Sequence, residues 1–143
     1  MAFAQCVVLL DPQQHDVKQF DCGKSDMNVF LSRYADKNRK LGLSATWVLT
    51  EHTEDNANKA LIATYYTLAS STVSREQLPT DKALPAYPVP VVLLARLAVN
   101  RCFQKQGLGE KTLVKFAASF SSILYRSLLK SFRMSAFYKE VII

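Results

Sequence analysis

The sequence predicts a single α/β domain, on three observations. The run LLARLAVNRCF, then QKQGLG, then EKTLVKFAASF reads as a strand, a tight turn and a helix in succession. Between Ser25 and Leu41 apolar residues recur every three or four positions, as on one face of a helix. Around these lie short β-branched and aromatic runs bounded by turn residues, which is the pattern of strands. A chain of 143 residues suits one domain and can bury a core without disulfide or metal staples.

Taken in order, Gln5 to Leu10 is a short run halted by Asp11-Pro12 and reads as the first strand. In the helix from Ser25 to Leu41 the apolar stripe is Met27, Phe30, Leu31, Tyr34, Ala35 and Leu41, with Ser25 expected as N-cap and Gly23 and Gly42 outside the ends. Thr46 to Thr50 and Leu61 to Ala69 are expected to pair as a hairpin across the polar stretch Glu51 to Lys59. Ser70 to Pro90 carries four of the five prolines and a Ser-Ser-Thr cluster, which predicts an irregular surface excursion. Val91 to Val99 is apolar except for Arg96 and reads as a strand buried on both faces, where a guanidinium needs a reason to stand. From Gly107 onward, Leu108, Leu113, Phe116, Ala117 and Phe120 share one side of a second helix.

Composition removes several classes. With 49% hydrophobic and 21% charged residues the chain is neither disordered, collagenous nor membrane-spanning. Cys6, Cys22 and Cys102 are far apart, without a CxxC pair or a histidine at ligand spacing, so reduced thiols and no metal are expected. The amino terminus has no basic n-region and its apolar run ends at Leu10, which predicts a cytoplasmic protein without a membrane partner. Eighteen Lys plus Arg against twelve Asp plus Glu give a formal charge of +6, which favours polyanionic partners without naming one.

The chemistry concentrates in the turn Gln104-Lys105-Gln106-Gly107-Leu108-Gly109. Glycines at this spacing let backbone approach a ligand closely, and the free N–H groups at a helix start point at anions. The GK[ST] of a P-loop and the third glycine of a dinucleotide fold are both missing, so those sites are disfavoured.

This turn resembles the Q/R-x-x-G-x-G/A signature of the GNAT N-acetyltransferases. The resemblance runs from about residue 5 to residue 115 and is closest to toxins of bacterial type II toxin–antitoxin pairs. It is carried further by Phe20-Asp21-Cys22-Gly23 with Asn28-Val29-Phe30-Leu31, by Tyr65-Tyr66-Thr67-Leu68, and by Tyr87-Pro88-Val89-Pro90-Val91 leading into Ala95-Arg96-Leu97-Ala98-Val99.

The resemblance implies a GNAT fold: a mixed central sheet with flanking helices, splayed between its fourth and fifth strands, with acetyl-CoA in the gap. Val91 to Val99 would be the fourth strand. The backbone of Leu97, Ala98 and Val99 would face the acetyl and pantetheine arm, and the turn Gln104, Lys105, Gln106, Gly107, Leu108, Gly109 with Glu110 would hold the pyrophosphate. For Arg96 and Arg101 an ion pair or a solvated strand end stands beside a ligand contact.

Related toxins move acetyl from the coenzyme to the α-amino group of aminoacyl-tRNA, blocking translation, and are neutralised by a small ribbon-helix-helix DNA-binding antitoxin. An aminoacyl ester lowers the basicity of its amine, so little general-base help is required. Alignment, polarisation of the thioester carbonyl and protonation of the thiolate are what the enzyme must supply. By resemblance Tyr138, in Ser135-Ala136-Phe137-Tyr138-Lys139, matches the family's acid, although a packing role is the alternative. Arg33, Lys37, Arg39 and Lys40 are the candidate tRNA contacts, with a solubilising helix face as the other reading; Lys105, Lys111 and Lys115 flank the turn. Dimers occur in the family, so a homodimer is one expected state.

After Phe116 the chain departs from the family. Between Ala117 and Ile143 there is one acid, Glu140, in a serine- and phenylalanine-rich tail where an acidic, apolar strand, a helix and closing strands are the norm. A shortened domain, an internal deletion and a frameshift all fit this tail. The alternatives to a tRNA-acetylating toxin are an acetyltransferase for a small-molecule or protein amine, and an inactive member that only binds its antitoxin.

Overall fold

Strand pairing organises the molecule. A computed structural model describes residues 3–4, 6–52, 58–74, 76, 86–117 and 140–142. Its strands are β1 (Val8–Leu9), β2 (His15–Asp16), β3 (Ala45–Thr50), β4 (Ala60–Val73), β5 (Val89–Val99) and β6 (Glu140–Ile142). They pair in the order β1-β3-β4-β5-β6, with β2 beside β4. The β1–β3, β3–β4 and β4–β5 contacts are antiparallel and the β5–β6 contact is parallel, so the sheet is mixed, as expected.

Helices cover both faces. α1 (Ser25–Val29), a wide π turn (Phe30–Tyr34) and α2 (Ala35–Lys40) form one continuous element, and α3 (Leu108–Ala117) is the other. Alternation along the strands decides which side chain meets which helix. Tyr65 and Ala98 pack with Phe20, Met27, Phe30 and Leu31 on the α1 side. Their neighbours Tyr66 and Leu97 pack with Leu113 of α3, and Val99 with Phe103 and Leu108. Leu97, Ala98 and Val99 are therefore buried in succession, as a strand covered on both faces requires.

Several sequence expectations are corrected. The first strand shrinks to Val8–Leu9, the two residues that form ladder pairs with β3, although the Ala4 and Leu10 amides also donate to β3 carbonyls. Ser25 is the first helical residue and not the cap; Lys24 holds the N-cap position without a side-chain bond. Tyr34 and Leu41, placed on the apolar stripe, are 49% and 62% exposed. The π turn inserts an extra residue into the helical repeat, so Ala35 continues the stripe behind Leu31 and Tyr34 swings to solvent.

Ser70–Val73, read as part of a loop, extends β4. Its residues pair with Val89–Val92, so ladder bonds outweigh the local Ser-Ser-Thr turn signal. The remainder of that excursion lies mostly outside the described residues, as does Phe120 of the second helix. All three cysteines are free, Cys22 buried and Cys6 and Cys102 exposed.

Candidate active site: the turn between β5 and α3

Three local features shape the end of β5. First, the β4–β5 register jumps from Thr67–Arg96 to Leu68–Leu94, leaving Ala95 as an extra residue that bends the strand just before Arg96. Secondly, a short 3₁₀ turn, Arg101–Phe103, follows the strand, capped by Asn100, whose side chain accepts from the Cys102 amide at 3.2 Å. Asn100 is itself pinned to β4, donating to the Ile62 carbonyl through its side chain and to the Ala63 carbonyl through its amide. Thirdly, β6 runs parallel beside Arg96, Leu97 and Ala98, opposite Glu140, Val141 and Ile142.

The turn itself is left-handed at two places, Lys105 (φ 62°) and Gly107 (φ 73°). Among the described residues nothing lies within 4 Å of where a Cβ at Gly107 would stand. Lys105, Gln106, Gly107 and Glu110 are exposed, whereas Leu108 and Gly109 are buried and anchor the start of α3. The Lys111 amide donates to the Gly107 carbonyl at 3.1 Å, so the amides of Leu108, Gly109 and Glu110 precede this bond and belong to the unsatisfied first turn. Lys111 is exposed beside them, and the turn therefore combines oriented N–H donors, the positive end of a helix dipole and nearby ammonium groups. Such an arrangement is suited to an anion.

Among the polar residues of the turn, the Gln104 side chain turns back into the fold. Its amide nitrogen donates to the Cys22 carbonyl at 2.8 Å and to the Val99 carbonyl at 2.9 Å. The sequence did not foretell this use, because Cys22 is 82 positions away. Leu97, Ala98 and Val99 stand on the same strand leading to the turn, so the structure brings both parts of the expected coenzyme site together.

Arg96 lies with its guanidinium 4.2 Å from the Phe30 ring centroid and Nη1 3.4 Å from the Met27 sulfur. The cation–π contact supplies a reason for a charge on this strand that neither sequence alternative included. Arg101 follows the ion-pair reading, with Nε 3.6 Å from Asp21 Oδ2. Tyr138 lies outside the described residues.

The basic helix divides into two pairs. Arg39 and Lys40 both bind Asp36, at 3.0 and 2.9 Å, and those two partners hold the Asp36 carboxyl below its ordinary range. Arg33 and Lys37 are exposed, one helical turn apart, with Tyr34 exposed between them. Among the described residues no group of three or more His, Cys, Asp or Glu is arranged to hold a metal, and no helix is long and apolar enough to cross a membrane.

Comparison with known proteins supplies the family. No protein-family model matches the chain. A tRNA-acetylating toxin of Mycobacterium tuberculosis is 33% identical over 100 residues, covering 68% of this chain and 55% of that toxin. Among solved structures, AtaTR bound with acetyl-CoA matches with a TM-score of 0.65 and 26% identity, over 82% of this chain and 67% of that one. The chain has the GNAT fold of these toxins. AtaT in complex with acetyl-methionyl-tRNAfMet gives a TM-score of 0.69 at 25% identity, over 82% of this chain and 68% of that one. This GNAT-type chain spans little more than half the length of its mycobacterial relative. Its β5 and β6 pair in parallel, with the bulge at Ala95 within β5 and the turn at Gln104–Gly109 beyond its end.

Proposed function

We propose that the chain is an acetyl-CoA-dependent N-acetyltransferase acting on the α-amino group of aminoacyl-tRNA, a translation-blocking toxin held in check by a ribbon-helix-helix antitoxin. The observation that carries this reading is the turn from Gln104 to Gly109, left-handed at Lys105 and Gly107 and followed by the helix-start amides of α3, which precede its first helical bond. Donors of that kind suit a pyrophosphate. Acetyl-CoA supplies the activated acyl group as a thioester.

On this reading the backbone from Gln106 to Glu110 binds the pyrophosphate, with Lys105 and Lys111 adding charge. β6 already lies along the backbone at Leu97 and Ala98, so of the expected contacts with the pantetheine arm the Val99 end of the strand is the part that stays beyond the β6 register. Tyr138 gives its phenolic proton to the departing thiolate. Arg33 and Lys37 meet tRNA phosphates, with smaller shares for Arg39 and Lys40, which Asp36 already engages. A tRNA substrate is supported by the acetyl-methionyl-tRNAfMet complex of the structurally similar AtaT, and an antitoxin partner by the names of such toxin complexes.

The test is incubation of the purified chain with acetyl-labelled coenzyme and charged tRNA. Label should appear as an N-acetyl-aminoacyl ester released by mild base. Labelling of a small amine or a protein without tRNA would move the activity to a different acceptor.

A further inference from the structure

The segment Phe20-Asp21-Cys22-Gly23 stands out in the sequence yet contributes nothing to the turn's open face. Its contacts explain its presence. The Gln104 amide nitrogen spends both hydrogens on carbonyls, one on Val99 at the end of β5 and one on Cys22 in this loop. Only the NH₂ end of the side chain can serve two acceptors, so the amide orientation is fixed by its partners.

The loop is held in turn by Asp21. Its Oδ1 accepts from the Gly23 amide at 2.8 Å and from the Asn28 side chain at 2.9 Å, while Asn28 Oδ1 accepts from the Cys22 amide at 2.9 Å. These bonds, the Gly23 one foremost, keep the Asp21 carboxyl below its ordinary range. The Asp21 carbonyl also accepts from the Arg101 amide at 2.7 Å, and the Arg101 guanidinium lies over Gly23, where an added Cβ would meet Nη2 at 3.3 Å. With φ at +87°, position 23 favours glycine on conformational grounds, and a side chain there would also have to push the exposed Arg101 guanidinium aside. The loop and the residues from Val99 to Gln104 thus form one hydrogen-bonded unit.

We infer that Gln104 is a positioning residue: through Cys22 and Val99 it latches the Asp21–Gly23 loop to the end of β5, and so sets the path of the turn that binds the coenzyme. This rests on the acetyl-CoA reading above. Misplacement of oriented donors by a fraction of an ångström weakens binding of the group they address without touching a second, separate substrate. The loop end of the latch, Asp21, should therefore influence coenzyme affinity although it is not part of the turn.

Acetyl-CoA titration of the full chain tests this, with tRNA kinetics alongside. Gln104→Leu, which removes both donors, should raise the acetyl-CoA dissociation constant about ten-fold, and Asp21→Ala should do so by a comparable factor of about three to ten. The double variant should be no worse than the worse single variant by more than about two-fold, because both break one latch. Gln104→Arg retains N–H donors and should restore binding to within about three-fold of the original chain. The KM for charged tRNA should stay constant throughout.

Binding of acetyl-CoA to Gln104→Leu within two-fold of the original chain overturns the latch, as does a fully multiplicative double variant or an equal loss toward both substrates. If Gln104→Leu fails to fold, Asp21→Ala decides, since its side chain is about half exposed. An original chain that binds no acetyl-CoA defeats the proposed function together with this inference, whereas binding unaffected by the substitutions defeats the latch alone.

Discussion

Thr64 on β4 and Thr112 on α3 meet hydroxyl to hydroxyl at 3.0 Å, both buried. Thr112 gives its proton to the Leu108 carbonyl at 2.8 Å, so Thr64 is the donor between them. The bond ties the helix that follows the Gln104–Gly109 turn to the centre of the sheet. Thr112→Val should cost about 1–3 kcal/mol, because it strands the Thr64 donor in the core. Thr64→Val leaves Thr112 with its Leu108 partner and should cost about 0.5–1.5 kcal/mol. Denaturant titration of both single variants and the double should show the second substitution adding little to Thr112→Val.

Gly107 carries its backbone at φ 73°, and none of the described residues lies within 4 Å of where a Cβ would stand. Gly107→Ala should therefore cost about 1–2 kcal/mol of left-handed backbone strain. On the proposed reading the methyl would also crowd the pyrophosphate. Coenzyme affinity should fall further than stability does, which parallel thermal melts with and without acetyl-CoA will separate.

The division of the basic helix by Asp36 predicts unequal tRNA contacts. Arg33→Ala or Lys37→Ala should weaken tRNA binding and reduce the slope of log affinity against log salt by about one each. Arg39→Ala or Lys40→Ala should have a smaller effect on both, since those cations already face a carboxylate. Filter binding across a salt series distinguishes the pairs.

His15 is buried and its Nδ1 accepts from the Asp11 amide at 2.9 Å, which requires a neutral ring nitrogen. Burial, the largest influence, lowers its pKa from the ordinary 6.5, against opposing contributions from Asp11. In this case the unfolded chain binds the proton more readily. The stability contribution is complete above about pH 6.5 and declines as pH falls through the lower folded value. Melting curves from pH 8 downward should show this loss, and His15→Gln should flatten it.

The parts of this fold that depend on local pattern were legible in the sequence. The long strand ending at Val99, the turn at Gln104 and the start of α3 follow from apolar runs and glycine spacing. The parts that depend on distant pairing were not. Ser70–Val73 looks like a loop until Val89–Val92 is laid beside it, and Tyr34 looks apolar-facing until the π turn shifts the repeat. Gln104 was recognised as part of a phosphate signature, but its two carbonyl partners follow from tertiary contact. The Phe30 ring under Arg96 likewise had no local sign.

On the proposed reading, the turn from Gln104 to Gly109 holds acetyl-CoA by its pyrophosphate. Calorimetric titration with acetyl-CoA and with S-acetyl-pantetheine, which lacks that group, separates the pyrophosphate end from the thioester arm. Acetyl-CoA should bind more tightly by about a hundred-fold, with the advantage shrinking as salt rises. Equal affinity for the two ligands would contradict it.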